Sequence, residues 1–186
     1  EPLVDCVPVG SYRKSVRLFD AVAREAFRDA GLDRCPIQPS GIGIVAGASV
    51  NYLDMRLLRQ YFQFRRPDRL TLDVERCTRE GMQKKESFYR RLGDMIASVP
   101  ARVLGLGGPC FVMDTACAAS AHAIGEAYRL VARGKVRAML AGGSAALVSP
   151  LSILAFSLIG ALSRSENPEE ASRPFDRRRD GFVMGE

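Results

Sequence analysis

Gly108-Pro109-Cys110-Phe111-Val112-Met113-Asp114-Thr115-Ala116-Cys117-Ala118-Ala119-Ser120 reads as a short buried strand, a tight turn and the start of a helix, with a cysteine at the turn. Phe111, Val112 and Met113 form a brief apolar run after a Gly-Gly-Pro breaker. No neighbour of Cys117 is large, and a nucleophile raised on a strand-to-helix turn needs small neighbours, because the chain bends sharply and the substrate must approach. A thiol at a helix N-terminus also feels the positive end of the helix dipole, which favours thiolate. A packed structural cysteine in a small-residue core fits the same local pattern, since free cysteine is among the most buried residue types. From this stretch alone both readings stay open.

The helix behind the cysteine, Ala118 to Arg133, carries no acid, lysine or arginine in its first half; Glu126, Arg129 and Arg133 form its polar stripe near the far end. A helix apolar all round at its start belongs in a core, so the pattern predicts that Cys117 sits deep, at the bottom of a pocket. Gly134 ends the helix. His122, the chain's single histidine, lies five residues after Cys117. Five helical residues turn through about 500°, leaving the two side chains about 140° apart. The spacing makes His122 a poor base for Cys117 and predicts a packed or hydrogen-bonded histidine.

Upstream, Ser15 to Ala30 is a helix by the recurrence of Leu18, Phe19, Val22, Ala23, Ala26, Phe27 and Ala30, ended by Gly31. Ile42 to Gly47 reads as a buried strand. Its glycines lie inside the apolar run and not between strand and helix, so they do not make a dinucleotide fingerprint. Leu53 to Phe64 reads as a helix, with Leu57, Leu58, Tyr61 and Phe62 on one face. Residues 65–86 mix charges of both signs with few apolar residues and read as a charged surface insertion or flap; a lid or docking surface is the sharper alternative. Phe88 to Ile96 has helical character, and Ser98 is placed to cap a second helix from about Val99 to Leu104 with Pro100 in its first turn.

Downstream, Ala138 to Ser163 contains no charged residue, long enough to raise the question of a membrane span. Gly142-Gly143-Ser144, Ser149-Pro150 and Gly160 break it into pieces, which read as a buried strand over Val136 to Ala141 and a core helix over Leu151 to Leu162. A membrane span is therefore not expected.

With 186 residues, 47% of them apolar, the chain suits one domain with a real core. Five cysteines, odd in number and never spaced Cys-x-x-Cys, argue against a disulfide framework and a zinc site and suit a reducing cytoplasmic setting. Neither a metal nor a cofactor is expected. The net charge of +6 comes mostly from arginines interleaved with acids such as Asp68, Asp73, Asp176 and Asp180. A nucleic-acid footprint would cluster bases among stacking aromatics, so steering of an acidic protein partner is the better use of this charge. The start on Glu1 and the end at Gly185-Glu186 read as cuts at both ends.

Asp114-Thr115-Ala116-Cys117-Ala118-Ala119-Ser120 resembles the active-site signature of the β-ketoacyl synthases, the condensing enzymes of fatty-acid and polyketide synthesis. His122-Ala123-Ile124-Gly125, Ala141-Gly142-Gly143, Ala161-Leu162-Ser163 and the run from Ala171-Ser172-Arg173-Pro174-Phe175-Asp176 to Asp180-Gly181-Phe182-Val183-Met184-Gly185-Glu186 match that family in order and spacing. The resemblance is strong from about Asp94 onward and weaker over Ser15 to Leu53, and residues 65–86 match nothing in it.

The resemblance implies an α/β, thiolase-like fold with αβαβα layering, of which residues 1–186 form most of the N-terminal, nucleophile-bearing half. The family's other half carries two catalytic histidines, a lysine, a phenylalanine gate and part of the oxyanion hole, so this chain alone is expected to be inactive in condensation. By matching position Cys117 is the nucleophile, and Val50 and Phe156 fall where the family lines its acyl pocket. The implied partners are an acidic, phosphopantetheinylated acyl carrier protein and a second copy of the chain, paired through strand Phe111 to Asp114. Another thiolase-fold cysteine acyltransferase, or a non-enzymatic scaffold that keeps the fold, are the alternatives.

Overall fold

The structure is a computed structural model and describes residues 12–48, 59, 62–66, 71–80 and 92–185. The chain divides into two units, Glu1–Ala145 and Ala146–Glu186.

The first unit is built on a parallel three-stranded sheet. Strand β1 (Ile42–Gly47) lies between β2 (Cys110–Met113) and β3 (Ala138–Gly143). Every residue of β1 is buried, as an Ile-Val-Ala-Gly run requires when a parallel strand is covered on both faces. In register, Val45 stands between Phe111 and Ala141, and Gly47 between Met113 and Gly143.

Side-chain alternation sorts β1 onto two layers. Ile44 and Ala46 join a core with Val16, Phe19 and Ala23 of α1 (Lys14–Asp29), and with Ile96, Ala97 and Val99 of the helix Met95–Val103. Val45 faces the other way, to Ala123 and Ala127 of the helix Ala119–Ala132, with Phe111, Met113 and Met139 packed around them. Fully burying a side chain such as Phe19 or Ile44 stabilises the fold by about 1.5–3 kcal/mol each. Of the stripe its spacing predicted, Phe19 and Ala23 are buried and Phe27 is half-buried, whereas Leu18 and Val22 are exposed; Ser15, Val16 and Asp20 complete the buried face instead.

Three expectations need correction. The residues 95–104 form one helix, Met95–Val103, that contains Pro100; Ser98 lies inside it, and its Oγ donates to the Asp94 carbonyl at 3.0 Å instead of capping a second helix. The helix Ala119–Ala132 is buried along one alanine stripe (Ala119, Ala123, Ala127), while Ile124, Tyr128 and Val131 are exposed. An alanine stripe lets helix and sheet approach closely, but it covers one face only; the predicted all-round burial does not occur within this chain. Cys117 is accordingly exposed and does not sit deep.

Of the 65–86 segment, residues 65–66 and 71–80 are described. Val74–Glu80 is a short helix, α2, with no buried residue. Arg65 and Leu72 form an antiparallel bridge, and the Arg76 guanidinium stacks over Phe64, 5.4 Å from the ring centre. The predicted helix Leu53 to Phe64 lies largely outside the described residues, as do Val50 and residues 88–91; of the predicted helical stretch Phe88 to Ile96, Met95 and Ile96 are in a helix.

The second unit opens with the helix Pro150–Leu158, where the Ser149 hydroxyl accepts from the Ser152 N–H at 3.2 Å and Pro150 takes the first turn. This was predicted as a core helix, yet none of its residues is fully buried, and Ile153, Leu154 and Leu158 are exposed. An apolar helix carries no preferred face of its own, so burial depends on having cover on several sides. Farther on, Leu162 and Phe182 form a parallel bridge, and the Phe156 and Phe182 rings meet edge to face with centres 5.3 Å apart. No helix among the described residues is long and apolar enough to cross a membrane.

Candidate active site

The turn that carries Cys117 is made by backbone geometry. After β2 the chain passes Asp114 and reaches Thr115 at φ −129°, ψ 41°, and then Ala116 at φ 50°. Positive φ is sparsely populated by residues with a β-carbon and costs on the order of 1–3 kcal/mol when the fold imposes it. Alanine is the smallest side chain that can bear it apart from glycine. Residues Ala116–Ala118 then form a single 3-10 turn that runs directly into the helix Ala119–Ala132.

The turn is closed by two backbone bonds, Ala118 N–H to the Thr115 carbonyl and Ala119 N–H to the Ala116 carbonyl. The Cys117 N–H takes part in neither.

What fixes this turn over the sheet is close contact with two glycines. A β-carbon on Gly47, the last residue of β1, would lie 2.4 Å from the Ala119 carbonyl carbon and from the Ser120 nitrogen. A β-carbon on Gly143, the last residue of β3, would lie 1.9 Å from the Ser120 Oγ and 2.7 Å from the Gly47 carbonyl oxygen. The start of the helix therefore rests on bare main chain at the carboxyl ends of two adjacent strands, the end of an α/β sheet where ligand groups gather.

His122 is exposed, and its Nδ1 is 2.7 Å from the Thr115 Oγ1; which atom donates depends on the imidazole tautomer. Among the described residues no hydrogen bond joins His122 to Cys117. The sequence-based reading of a hydrogen-bonded histidine that does not serve the thiol agrees with this geometry; Thr115 as its partner was not foreseen.

Phe156 lies in the second unit, on the exposed-to-intermediate helix Pro150–Leu158, where its ring meets Phe182. The conspicuous tail motif there folds around Asp180. The Asp180 carboxylate accepts from the Ser163 hydroxyl at 2.7 Å and from the Arg164 N–H at 2.9 Å, and these bonds, the Ser163 one foremost, hold its carboxyl below the usual range. Asp176 is lowered as well, chiefly because it accepts from the Arg178 N–H at 2.7 Å. The periodicity of the tail gave no hint of this, since its order comes from side chains that bond the backbone of a loop. Among the described residues, no group of histidine, cysteine and acidic side chains is arranged to hold a metal ion.

Comparison with known proteins places this geometry. The sequence model of the β-ketoacyl synthase N-terminal domain matches residues 10–186. The chain is 49% identical over 96 residues to a 3-oxoacyl-[acyl-carrier-protein] synthase 2 of Synechocystis, covering 51% of this chain and 23% of that protein. It is 37% identical over 164 residues to a putative polyketide beta-ketoacyl synthase 1 of Streptomyces halstedii, covering 87% of this chain and 37% of that one.

Among solved structures it resembles a type II polyketide ketosynthase in complex with its acyl carrier protein (TM-score 0.72, 28% identity, 94% of this chain and 42% of that one). A beta-ketoacyl synthase from Burkholderia phymatum is similarly close (TM-score 0.71, 26% identity, 93% and 40%). The chain thus spans roughly a quarter to two fifths of the length of these relatives. With a cysteine on a strand-to-helix turn, a parallel sheet beneath it and a family match over nearly all its residues, the chain belongs to the β-ketoacyl synthases and corresponds to their N-terminal domain.

Proposed function

We propose that this chain is the nucleophile-bearing part of an acyltransferase that carries out decarboxylative Claisen condensation in fatty-acid or polyketide synthesis. The observation that carries the reading is Cys117 itself, exposed on a turn whose seat is main chain and whose own N–H is not used in closing that turn. The Cys117 thiolate attacks the thioester carbonyl of an acyl chain on a phosphopantetheine arm. The carrier's thiol leaves, taking a proton, and the acyl group is held on sulfur. A malonyl thioester then loses carbon dioxide, and its carbanion attacks the Cys117 thioester carbonyl. The new carbon–carbon bond forms, the sulfur–acyl bond breaks and thiolate is restored. Two easier steps replace one difficult one. The Cys117 N–H, at the mouth of the following helix, is suited to donate to the oxyanion in both attacks.

The family's histidines and lysine belong to its other half, so this chain alone should not condense. Val50 and Phe156 are assigned to the acyl pocket by their positions in the family pattern. An acyl carrier protein is the proposed partner, supported by the solved complex of a structural relative with its carrier. Homodimerisation through strand Phe111 to Asp114 is supported by the place of β2 at one edge of the sheet formed by the described residues. A cytoplasmic setting suits the free thiols of Cys35, Cys77, Cys110 and Cys117. Residues 65–86 are assigned as a surface flap, in keeping with the absence of buried residues in α2.

The test is to incubate the full-length protein with radiolabelled acyl carrier protein. A thioester that forms on the wild type and is lost in Cys117→Ala supports the reading; no thioester, or one that survives the substitution, rejects it. A scaffold would give no thioester, and a thiolase-type acyltransferase would form one without consuming a malonyl thioester.

A further inference from the structure

Thr115 and His122 stand on opposite sides of the nucleophile turn, one before it and one on the first turns of the helix that follows. They are joined by a hydrogen bond of 2.7 Å. Thr115 immediately precedes the 3-10 turn, where a threonine hydroxyl ordinarily caps the N–H groups ahead of it, yet it makes no such bond, and the residue that precedes the long helix, Ala118, offers none either. The hydroxyl is committed to the imidazole instead. Between the two residues lie the strained Ala116 and the nucleophile Cys117, a segment closed otherwise, among the described residues, by the short backbone bonds of the 3-10 turn.

We infer that the Thr115–His122 bond is a strap across the nucleophile turn, and that both are positioning residues that hold Cys117 in its attacking geometry. Three observations point the same way. The strap spans the one place among the described residues of the first unit where a residue with a β-carbon is held at positive φ, so it opposes relaxation of Ala116 to a commoner conformation. It ties the start of the turn to the helix, whose own position is fixed against Gly47 and Gly143. It also keeps the Thr115 hydroxyl off the Cys117 N–H, which closes neither bond of the turn and is left to donate to negative charge that develops beside the sulfur. The imidazole therefore works through threonine, not on the thiol.

This inference rests on the reading of Cys117 as an acyl acceptor, and the test separates the two. In the full-length protein, Thr115→Val removes the hydroxyl at nearly constant shape, and His122→Ala removes the imidazole. Thr115→Ser keeps the hydroxyl, and His122→Asn keeps a polar atom near the place of Nδ1. The measured quantities are the rate constant for acyl transfer from labelled carrier protein to Cys117 at saturating carrier, the KM for carrier, the iodoacetamide alkylation rate of Cys117 and the midpoint of thermal unfolding.

The strap predicts that Thr115→Val and His122→Ala each slow saturated acyl transfer about tenfold with KM little changed, and that the double variant is no slower than either, as expected for a small misplacement of a reacting atom by one shared device. Serine and asparagine should restore most of the rate. Multiplying effects in the double variant, failure of Thr115→Ser and His122→Asn to restore the rate, or rate losses that merely follow the unfolding midpoint would each overturn it. If the wild type accepts no acyl group, the proposed function fails, and alkylation still decides the strap: coupled changes at Cys117 on breaking the bond uphold it, and unchanged alkylation refutes it.

Discussion

Gly47 lies so close beneath Ser120 that a β-carbon on the glycine would stand 2.4 Å from the serine nitrogen. The last residue of the central strand and the second residue of the helix behind Cys117 are in main-chain contact. Since the atoms on the far side are backbone and cannot rotate away, even one methyl group must push the helix off the sheet.

Gly47→Ala should therefore destabilise the protein by about 1–3 kcal/mol, the usual range for overpacking a tight contact. Urea unfolding should show the midpoint falling with little change in slope. Gly143→Ala should behave alike, because its β-carbon would meet both the Ser120 Oγ and the Gly47 carbonyl. Gly125→Ala is the control: nothing lies within 4 Å of a β-carbon there, and the helix should become slightly more stable. A neutral Gly47→Ala would mean the helix does not sit on the strand as described.

Ala116 provides a second test. At φ 50° a β-branched side chain is strongly disfavoured. Ala116→Val should cost more than about 1 kcal/mol of stability and slow acylation of Cys117, whereas Ala116→Gly, which relieves the strain but loosens the unfolded chain, should change stability by less than about 1 kcal/mol. Thermal unfolding and acyl-transfer rates on the two variants check this; equal effects of valine and glycine would contradict it.

The lowered carboxyl of Asp180 sets the sign of a pH effect in the second unit. Its native value lies below that of an unfolded aspartate, so the loop is stabilised above the unfolded value, and that contribution disappears as pH falls through the native one. Carbon-13 NMR of the side-chain carboxyl should find the Asp180 midpoint below 3.8, rising toward it in Ser163→Ala, while Asp176, bonded to the Arg178 N–H, should keep its own lowered midpoint. A midpoint for Asp180 indifferent to Ser163 would remove the assigned cause.

Phe156 packs on Phe182, and its place in the acyl pocket is a proposal that can be tested separately. Phe156→Ala removes the edge-to-face contact with Phe182, with a cost of about 0.5–1.5 kcal/mol beyond the lost buried area. If Phe156 also lines the acyl site, the same variant should accept longer acyl chains on Cys117 relative to short ones, read as the ratio of acylation rates. An unchanged ratio would leave Phe156 with the packing role alone.

Much of the first unit was legible in the residues because the signals are local and strong. Ile42 to Gly47 is apolar without a break and became the buried central strand; the Leu18–Phe19–Val22–Ala23 spacing became α1. Cys117 at a strand-to-helix turn was readable from small neighbours after an apolar run. Its depth was not, because burial of the following helix was inferred from the absence of charge, and absence of charge says only that a face can be covered. Ile124 and Tyr128 are apolar and exposed in this chain. The Thr115–His122 bond and the two-glycine seat were beyond sequence reading for a different reason: each joins residues through three-dimensional approach, and Gly47 and Ser120 are separated by more than seventy residues that include the helices Val74–Glu80 and Met95–Val103 and strand β2.

A seat made of main chain has one more effect. Side chains around the Cys117 sulfur can be exchanged without altering what the turn stands on, because Gly47 and Gly143 contribute no side chain to exchange. Under the proposed function, changing acyl preference and keeping the Cys117 sulfur in place thus become separable tasks for anyone redesigning this domain, provided the two bare strand ends remain bare.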